Sequence, residues 1–364
     1  MGDAFKPSCP VPHNDDHSHD NAGETQEKIT LAHGSGGIPS AELVSKLFVP
    51  AFHNKYLEQL HDGSVHDLGS AKIAFTTDSF VVKPIFFPGG DIGSLAVHGT
   101  VNDLAMCGAR PQLLSLSFII EEGFPRSDLS RIVESISAAC RDAGVMVVTG
   151  DTKVVERGGA DGIFINTAGV GTVEYEGISP KAVRPGDAVI LSGAIGLHGM
   201  AVMVTREGLD LETEIESDSA PLWGPVEKVL KSGAKVHCLR DATRGGLSSV
   251  LNEIAGAAGV GIEIWENSIP VPEPVRGACE ILGLDPLYIA NEGRFLSFVA
   301  SGEGDDNADA AKALEALRSH PLGREARKIG HVTADHKGTV VLRTNIGGKR
   351  VVPMASGELL PRIC

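Results

Sequence analysis

The chain has 364 residues, 42% of them hydrophobic and 22% charged, which suits about two domains of ~150 residues, each with its own core. The formal charge is −15. A field of that sign repels nucleic-acid backbones and anionic membranes, yet it admits a nucleotide if a cation neutralises the phosphates. No apolar run reaches the ~18 residues of a membrane span. Six cysteines (Cys9, Cys107, Cys140, Cys238, Cys279 and Cys364) contain no CxxC pair. That spacing argues against a disulfide framework or a cysteine-type zinc site, and for a reduced, cytoplasmic protein.

Residues 1–28 lack the charged-then-apolar layout of a signal peptide. They carry His13, His17 and His19 among acids and few apolar groups, so a disordered extension is expected. Further on, a strand over 73–76 should end at Thr77-Asp78. A helix is expected over 94–106 with Leu95, His98, Val101 and Ala105 on one face. A second is expected over 127–143, capped by Ser127, buried through Leu129, Ile132, Val133, Ile136 and Cys140, and ended by Gly144. Strands over 145–148, running to Gly150-Asp151, and 163–173 follow.

Pro180, Pro185 and Gly186 interrupt the pattern near Ser179. This divides an N-terminal domain, 29–178, from a C-terminal one, 179–353. The second half reads as a strand at 188–191 and helices near 200–206 and at 246–258, 275–282 and 307–319. Further strands are expected at 262–265, 294–300, 340–342 and 350–352. Alternating strands and helices give an α/β or mixed α+β class. Residues 354–364 have no periodic apolar face and read as a mobile tail that carries Cys364.

Asp78 and Asp151 close expected strands, Asn102-Asp103 lies on an expected helix, and Asp241 precedes Ala-Thr-Arg244-Gly-Gly. Ligands collect at strand ends, and clustered carboxylates suit Mg²⁺ bridging to phosphates. Each aspartate alone is more often a turn former or a cap. His33-Gly34-Ser35-Gly36-Gly37 precedes a helix, where backbone N–H groups could cradle phosphate; a flexible loop is the plainer reading. No Walker-type GxxxxGK[ST] occurs. Lys153 follows Gly150-Asp151-Thr152 and could hold a phosphate, or be a solvated surface lysine. Glu292, between two apolar strands, is a candidate base if burial raises its pKa, and otherwise a turn carboxylate. Cys364 is either a substrate-like arm or an unstructured thiol. The histidine-rich extension could bind Ni²⁺ or Zn²⁺ weakly, or have no function.

Leu31-Ala-His-Gly-Ser-Gly-Gly, Phe86-Phe-Pro-Gly-Gly, Asn102-Asp-Leu-Ala-Met-Cys-Gly-Ala, Gly150-Asp-Thr-Lys-Val-Val, Arg240-Asp-Ala-Thr-Arg-Gly-Gly, Asn291-Glu-Gly and Pro361-Arg-Ile-Cys occur in that order. The set resembles the HypE family of hydrogenase maturation factors over about 29–364. The resemblance implies a two-domain fold of the aminoimidazole-ribonucleotide-synthetase type, shared with selenophosphate synthetase and thiamin-monophosphate kinase. It implies a homodimer in which two N-terminal domains pair into a β-barrel. The implied chemistry is loading of a carbamoyl group onto Cys364 by the carbamoyltransferase HypF, ATP-dependent dehydration to an S-cyanide, and transfer to iron on the HypC–HypD scaffold. It assigns Cys364 as carrier, Glu292 as base and Lys153 as support. ATP would lie on Gly34, Gly36, Gly37, Asp78, Asn102, Asp103, Thr152, Asp241 and Arg244, and Mg²⁺ on Asp78, Asp103 and Asp151.

Two other readings compete. One is another ATP-dependent synthetase or kinase of the superfamily, which should tolerate loss of Cys364. The other is a non-enzymatic nickel carrier using the histidine-rich arm, which should not turn over ATP.

Overall fold

In the computed structural model the described residues are 31–34, 37–52, 54–59, 61–209, 213–300, 308–357 and 360–364. The expected extension over 1–28, and Gly36, lie outside them.

The first half runs α1 (Ile38–Leu43), α2 (Val49–Ala51), β1 (Ser64–Asp67), β2 (Lys72–Phe80), a ribbon of β3 (Phe86–Phe87) and β4 (Gly90–Asp91), α3 (Ile92–Met106), β5 (Ala109–Glu121), α4 (Arg126–Ala143), β6 (Met146–Val155) and β7 (Ile163–Val173). Its sheet has the order β1-β2-β7-β5-β6, antiparallel except between β5 and β6. Helix α3 lies across β2, β7 and β5 with α4 alongside. It is apolar nearly all round, and Leu95, Ala96, Val97, Val101, Leu104 and Ala105 have no exposed surface, as an internal helix requires. Asp91 caps it by accepting from the Gly93 and Ser94 amides while Ser94 reaches back to the Asp91 amide.

The helix expected over 127–143 is α4. Pro125, in extended conformation, precedes it and Ser127 is not its cap. Gly144 closes it in the left-handed conformation, which glycine adopts without strain. Val133 is exposed rather than part of the buried stripe. Strand β2 continues past Asp78 because Ser79 and Phe80 still pair with β7, so Asp78 lies within a strand. Likewise β6 runs to Val155 and carries Asp151 in its interior.

The second half comprises β8 (Ala188–Leu191), α5 (Leu197–Glu207), α6 (Trp223–Lys231), β9 (Val236–Asp241), α7 (Gly246–Ala258), β10 (Gly261–Trp265), α8 (Glu273–Leu282), β11 (Phe295–Val299), α9 (Ala308–Arg318), β12 (Arg327–Thr333), β13 (Val340–Arg343) and β14 (Lys349–Val351). The sheet order is β14-β13-β10-β12-β8-β11-β9, with only β10 and β13 parallel. Helix α7 covers one face through Leu247, Val250, Leu251 and Ile254. Helices α6 and α9 cover the other through Val226, Val229, Ala313 and Leu317. Two mixed sheets with helices on their faces make this a mixed α+β fold, in keeping with the expectation. A third core joins α3 and α4 of the first half to α5 and α8 of the second, and takes in Leu360 and Ile363 of the tail.

Candidate active site

Both halves send carboxylates to one place. Asp62 precedes β1, Asp78 lies on β2, Asp103 on α3, and Asp241 ends β9. Carboxylate oxygens of Asp62, Asp103 and Asp241 lie within 4.8 Å of one another. The Thr76 hydroxyl donates to Asp103 Oδ2 at 2.7 Å, and Arg240 pairs with Asp62 and Glu253 at 2.9 Å each. Burial and the neighbouring aspartates hold Asp103 and Asp241 well above the ordinary carboxylate range. Burial lifts Asp78 to about 6, with Arg244 opposing. Buried Asp62 Oδ2 finds no hydrogen-bond partner among the described residues. Buried like charges at this spacing call for a cation, and an all-oxygen donor set fits a hard divalent ion such as Mg²⁺.

Beside the carboxylates lies a cavity of about 760 Å³, whose lining includes Gly37, Ser40, Asp62, Thr76, Thr77 and Arg240. That volume is in the range of small-molecule and cofactor sites. Gly37 is buried and starts α1, and a Cβ there would come within 2.4 Å of the Ala355 carbonyl.

Glu292 lies close enough to Asp241 and Asp78 to feel their charge. Its loop is tied down by Asp218, which accepts from the amides of Glu292 and Gly293 at 3.2 Å each. Asn291 adds bonds to the Ala242 carbonyl and the Gly196 amide. Any Cβ at position 293 would lie 1.8 Å from the Asp218 carbonyl, so only glycine fits. Glu292 Oε1 is buried without a hydrogen-bond partner among the described residues. Burial, then Asp241, Asp218 and Asp78, push its carboxyl well above the usual range, with Arg244 opposing.

The tail enters here. Residues 360–364 form neither helix nor strand, but they are held. The amides of Val81 and Lys83 donate to the backbone oxygens of Cys364 and Arg362 at 3.1 Å. Ile363 is buried in the shared core, worth about 1.5–3 kcal/mol for a side chain of its size. The charges acting on the Cys364 thiol are those of Arg244, Glu292, Asp78 and Asp241, and burial pushes the thiol up to about 12.

Of the residues singled out in the sequence, Asp78, Asp103, Asp241, Arg244, Glu292 and Cys364 converge. Gly37 lines the cavity, Gly34 ends a single 3₁₀ turn, and Gly36 is not described. Asn102 spends its side chain on the carbonyls of Ala220 and Glu292 and the amide of Leu222, so it supports the Glu292 loop from behind.

Asp151, Thr152 and Lys153 do not join the cluster within this chain. They sit on exposed edge strand β6, and Lys153 pairs with Asp151 at 2.6 Å in solvent, a contact of little energetic worth. Asp78 is registered with Thr167 and Leu116, whereas Asp151 is registered with Ser117 and Asn166, one residue along. Asp151 is therefore three strand spacings from β2, about 14 Å, on the opposite face of the sheet. The sequence reading missed Asp62, Arg240, Asp218 and His198. Arg240 was within reach, since it directly precedes Asp241; Asp62, in a short His-Asp-Gly stretch, gave no signal beyond that of a turn.

The fold and the site define an AIR synthase related protein. The N-terminal domain model of that name matches residues 60–173 and the C-terminal one residues 184–343. Carbamoyl dehydratase HypE of Azotobacter vinelandii is 52% identical over 337 residues, 92% of this chain and 97% of that protein. A crystal structure of a HypE–HypF complex is 49% identical with TM-score 0.80, covering 86% of this chain and 99% of the other. HypE in complex with ATP is 47% identical with TM-score 0.77, covering 92% and 100%. The chain belongs to the HypE family of carbamoyl dehydratases.

Proposed function

We propose that this protein dehydrates a carboxamide on its own Cys364 to an S-cyanide at the expense of ATP, supplying the cyanide ligands of the [NiFe] hydrogenase iron centre. The observation that carries the reading is the docked tail, which presents Cys364 to Glu292 and Arg244 beside the aspartate cluster. The A. vinelandii relative bears the name of this activity, and a 47%-identical relative binds ATP.

An amide oxygen is a poor leaving group until it is phosphorylated. The carboxamide oxygen attacks the terminal phosphoryl group of ATP, ADP departs and one N–H proton passes to water, leaving an S-imidate phosphate. Loss of the remaining N–H proton as the C–O bond breaks gives the nitrile and inorganic phosphate. Over both steps one water is removed and one ATP becomes ADP and phosphate.

Asp62, Asp78, Asp103 and Asp241 would hold Mg²⁺, which supplies charge neutralisation for the triphosphate. Gly37, Thr76 and Thr77 border the cavity that would take the nucleotide. Glu292 is the base. Its pKa is high partly because Asp241 and Asp78 repel its charge; a cation among those aspartates removes the repulsion and brings the carboxylate into range to accept the N–H proton. Arg244 balances charge at the reacting sulfur and carboxamide. Cys364 is carrier rather than nucleophile in this step.

The functional unit in this reading is a homodimer in the cytoplasm. No described helix is long and apolar enough to cross a membrane. Among the described residues strand β6 is an unpaired edge with Met146, Val147, Val148 and Val154 exposed, and Phe75 and Ile119 add to the apolar surface of the same sheet. Such an edge invites pairing with a second copy. A barrel formed by two sheets would carry Asp151, Thr152 and Lys153 towards the partner's site, the role the single chain leaves open for them. HypF would load the carbamoyl group, as the HypE–HypF complex of a relative suggests, and the HypC–HypD scaffold would receive cyanide. The test is the mass of the C-terminal peptide after carbamoylation, with and without ATP.

A further inference from the structure

Arg206, near the end of α5, plays no part in the chemistry above, yet its guanidinium grips the tail. Nη1 donates to the Pro361 carbonyl at 2.6 Å and Nη2 to the Arg362 carbonyl at 2.7 Å. Nε donates to the Lys83 carbonyl at 2.8 Å, and Nη2 reaches the same oxygen. The Lys83 amide in turn donates to the Arg362 carbonyl. The tail thus lies between the 81–83 segment of the first half and one arginine of the second. The Arg362 side chain turns the other way, donating to the Val81 carbonyl at 2.9 Å and pairing with Asp161. Asp161 also takes the Lys83 ammonium at 2.8 Å. Among the described residues of the tail, the oxygens that Arg206 grips are the backbone carbonyls of Pro361 and Arg362.

We propose that Arg206 is the latch of the tail, a positioning residue that sets how long Cys364 spends docked; its place in the reaction rests on the function proposed above. The docked position holds the Cys364 backbone against Val81 and leaves the residue half-buried, which disfavours its meeting a carbamoyl donor on another protein, whereas dehydration requires that position. One equilibrium therefore serves both half-reactions, and Arg206 biases it through contacts made only in the docked state. The planar five-donor fork satisfies three carbonyls at once, which a lysine ammonium does not do. His198 and the burial of Ile363 contribute to the same docked state, so loss of Arg206 shifts the equilibrium without abolishing docking.

The experiment uses the full chain and iodoacetamide, without nucleotide. The alkylation rate of Cys364 is read from the mass of the C-terminal peptide, which separates it from the other cysteines. R206A and R206K should both alkylate about tenfold faster than the wild type, the factor that one charge-assisted hydrogen bond carries. With the carbamoyltransferase and its donor present, loading of Cys364 should speed up and ATP-dependent water loss from the loaded tail should slow down. General damage slows both, so opposite changes identify the latch. Unchanged alkylation in R206K, or a slowing of both half-reactions in it, overturns the proposal, and R206K decides the matter if R206A does not fold. Should alkylation accelerate while wild-type loaded tail never loses water with ATP, the latch stands and the proposed reaction falls.

Discussion

Asp218 holds Glu292 without facing the reacting group: its carboxylate accepts the Glu292 amide on one oxygen and the Gly293 amide on the other, each at 3.2 Å. It also accepts the His198 amide at 3.2 Å, so a single buried aspartate positions the candidate base and the histidine that touches the tail. That histidine has a defined tautomer. Its Nε2 faces the Ile363 carbonyl at 2.8 Å, which can only accept, so Nε2 bears the proton and Nδ1 accepts from Ser217.

Replacing Asp218 by Asn keeps the shape and loses acceptor capacity. Three buried amides compete for fewer lone pairs, and an unsatisfied one costs about 1–3 kcal/mol. Asp218→Asn should lower unfolding stability by about that amount and slow water loss from the carbamoylated tail by at least an order of magnitude. Urea unfolding and single-turnover mass measurement check this; unchanged values in both would show that the Glu292 loop needs no such anchor.

Asp103 separates electrostatic strain from metal binding. Asp103→Asn retains the acceptor for the Thr76 hydroxyl and removes one buried charge among aspartates that repel one another. The metal-free variant should therefore melt at a higher temperature than the wild type, while the rise in melting temperature on adding Mg²⁺ shrinks and ATP hydrolysis collapses. A lower metal-free melting temperature together with a normal Mg²⁺ response would remove Asp103 from the site.

His98 predicts an acid-sensitive fold. Burial lowers its pKa to about 4, with Asp142 opposing, and Nδ1 meets Ser219 at 2.9 Å. Below the ordinary histidine pKa the unfolded chain binds a proton that the folded chain refuses, so stability falls as pH drops from about 6.5 towards 4. Between pH 7.5 and 5 this one group should remove about 2 kcal/mol. His98→Gln should flatten that part of the stability profile. A wild-type minus variant difference that is the same at both pH values would contradict it.

The exposed edge β6 predicts the oligomer. Val148→Lys, placed on an exposed residue of that strand, should yield a folded monomer by light scattering, with ATP-dependent water loss reduced because Lys153 no longer reaches a partner site. A variant that remains dimeric and fully active would move the interface elsewhere.

What the sequence discloses follows from the range of the interactions. Helix α7 was legible to the residue, 246–258, because glycines bracket an apolar stripe and signal their own ends. Strand β2 was cut short at Asp78 because its last residues gain strand character only by pairing with β7, far along the chain. That Asp151 and Lys153 would lie apart from the aspartates of their own chain was not legible, because a short stretch of sequence does not encode the sheet order β2-β7-β5-β6. Asp62, Asp218 and Arg206 do their work through partners far along the chain: Arg240, Glu292 and Pro361. That Cys364 could enter a cleft with Ile363 in an apolar slot was legible in the tail itself, but the Val81, Lys83 and Arg206 contacts that hold it were not, because an irregular segment is ordered by what receives it.

The measurement that tests the central claim most directly is the mass of the C-terminal peptide of carbamoylated protein before and after ATP. The account predicts that Cys364 first gains a carboxamide and then, only with ATP and a divalent cation, loses one water from it. It also predicts that Glu292→Gln keeps the carboxamide intact while the variant still binds nucleotide. Water loss without ATP, or at a cysteine other than Cys364, would contradict it.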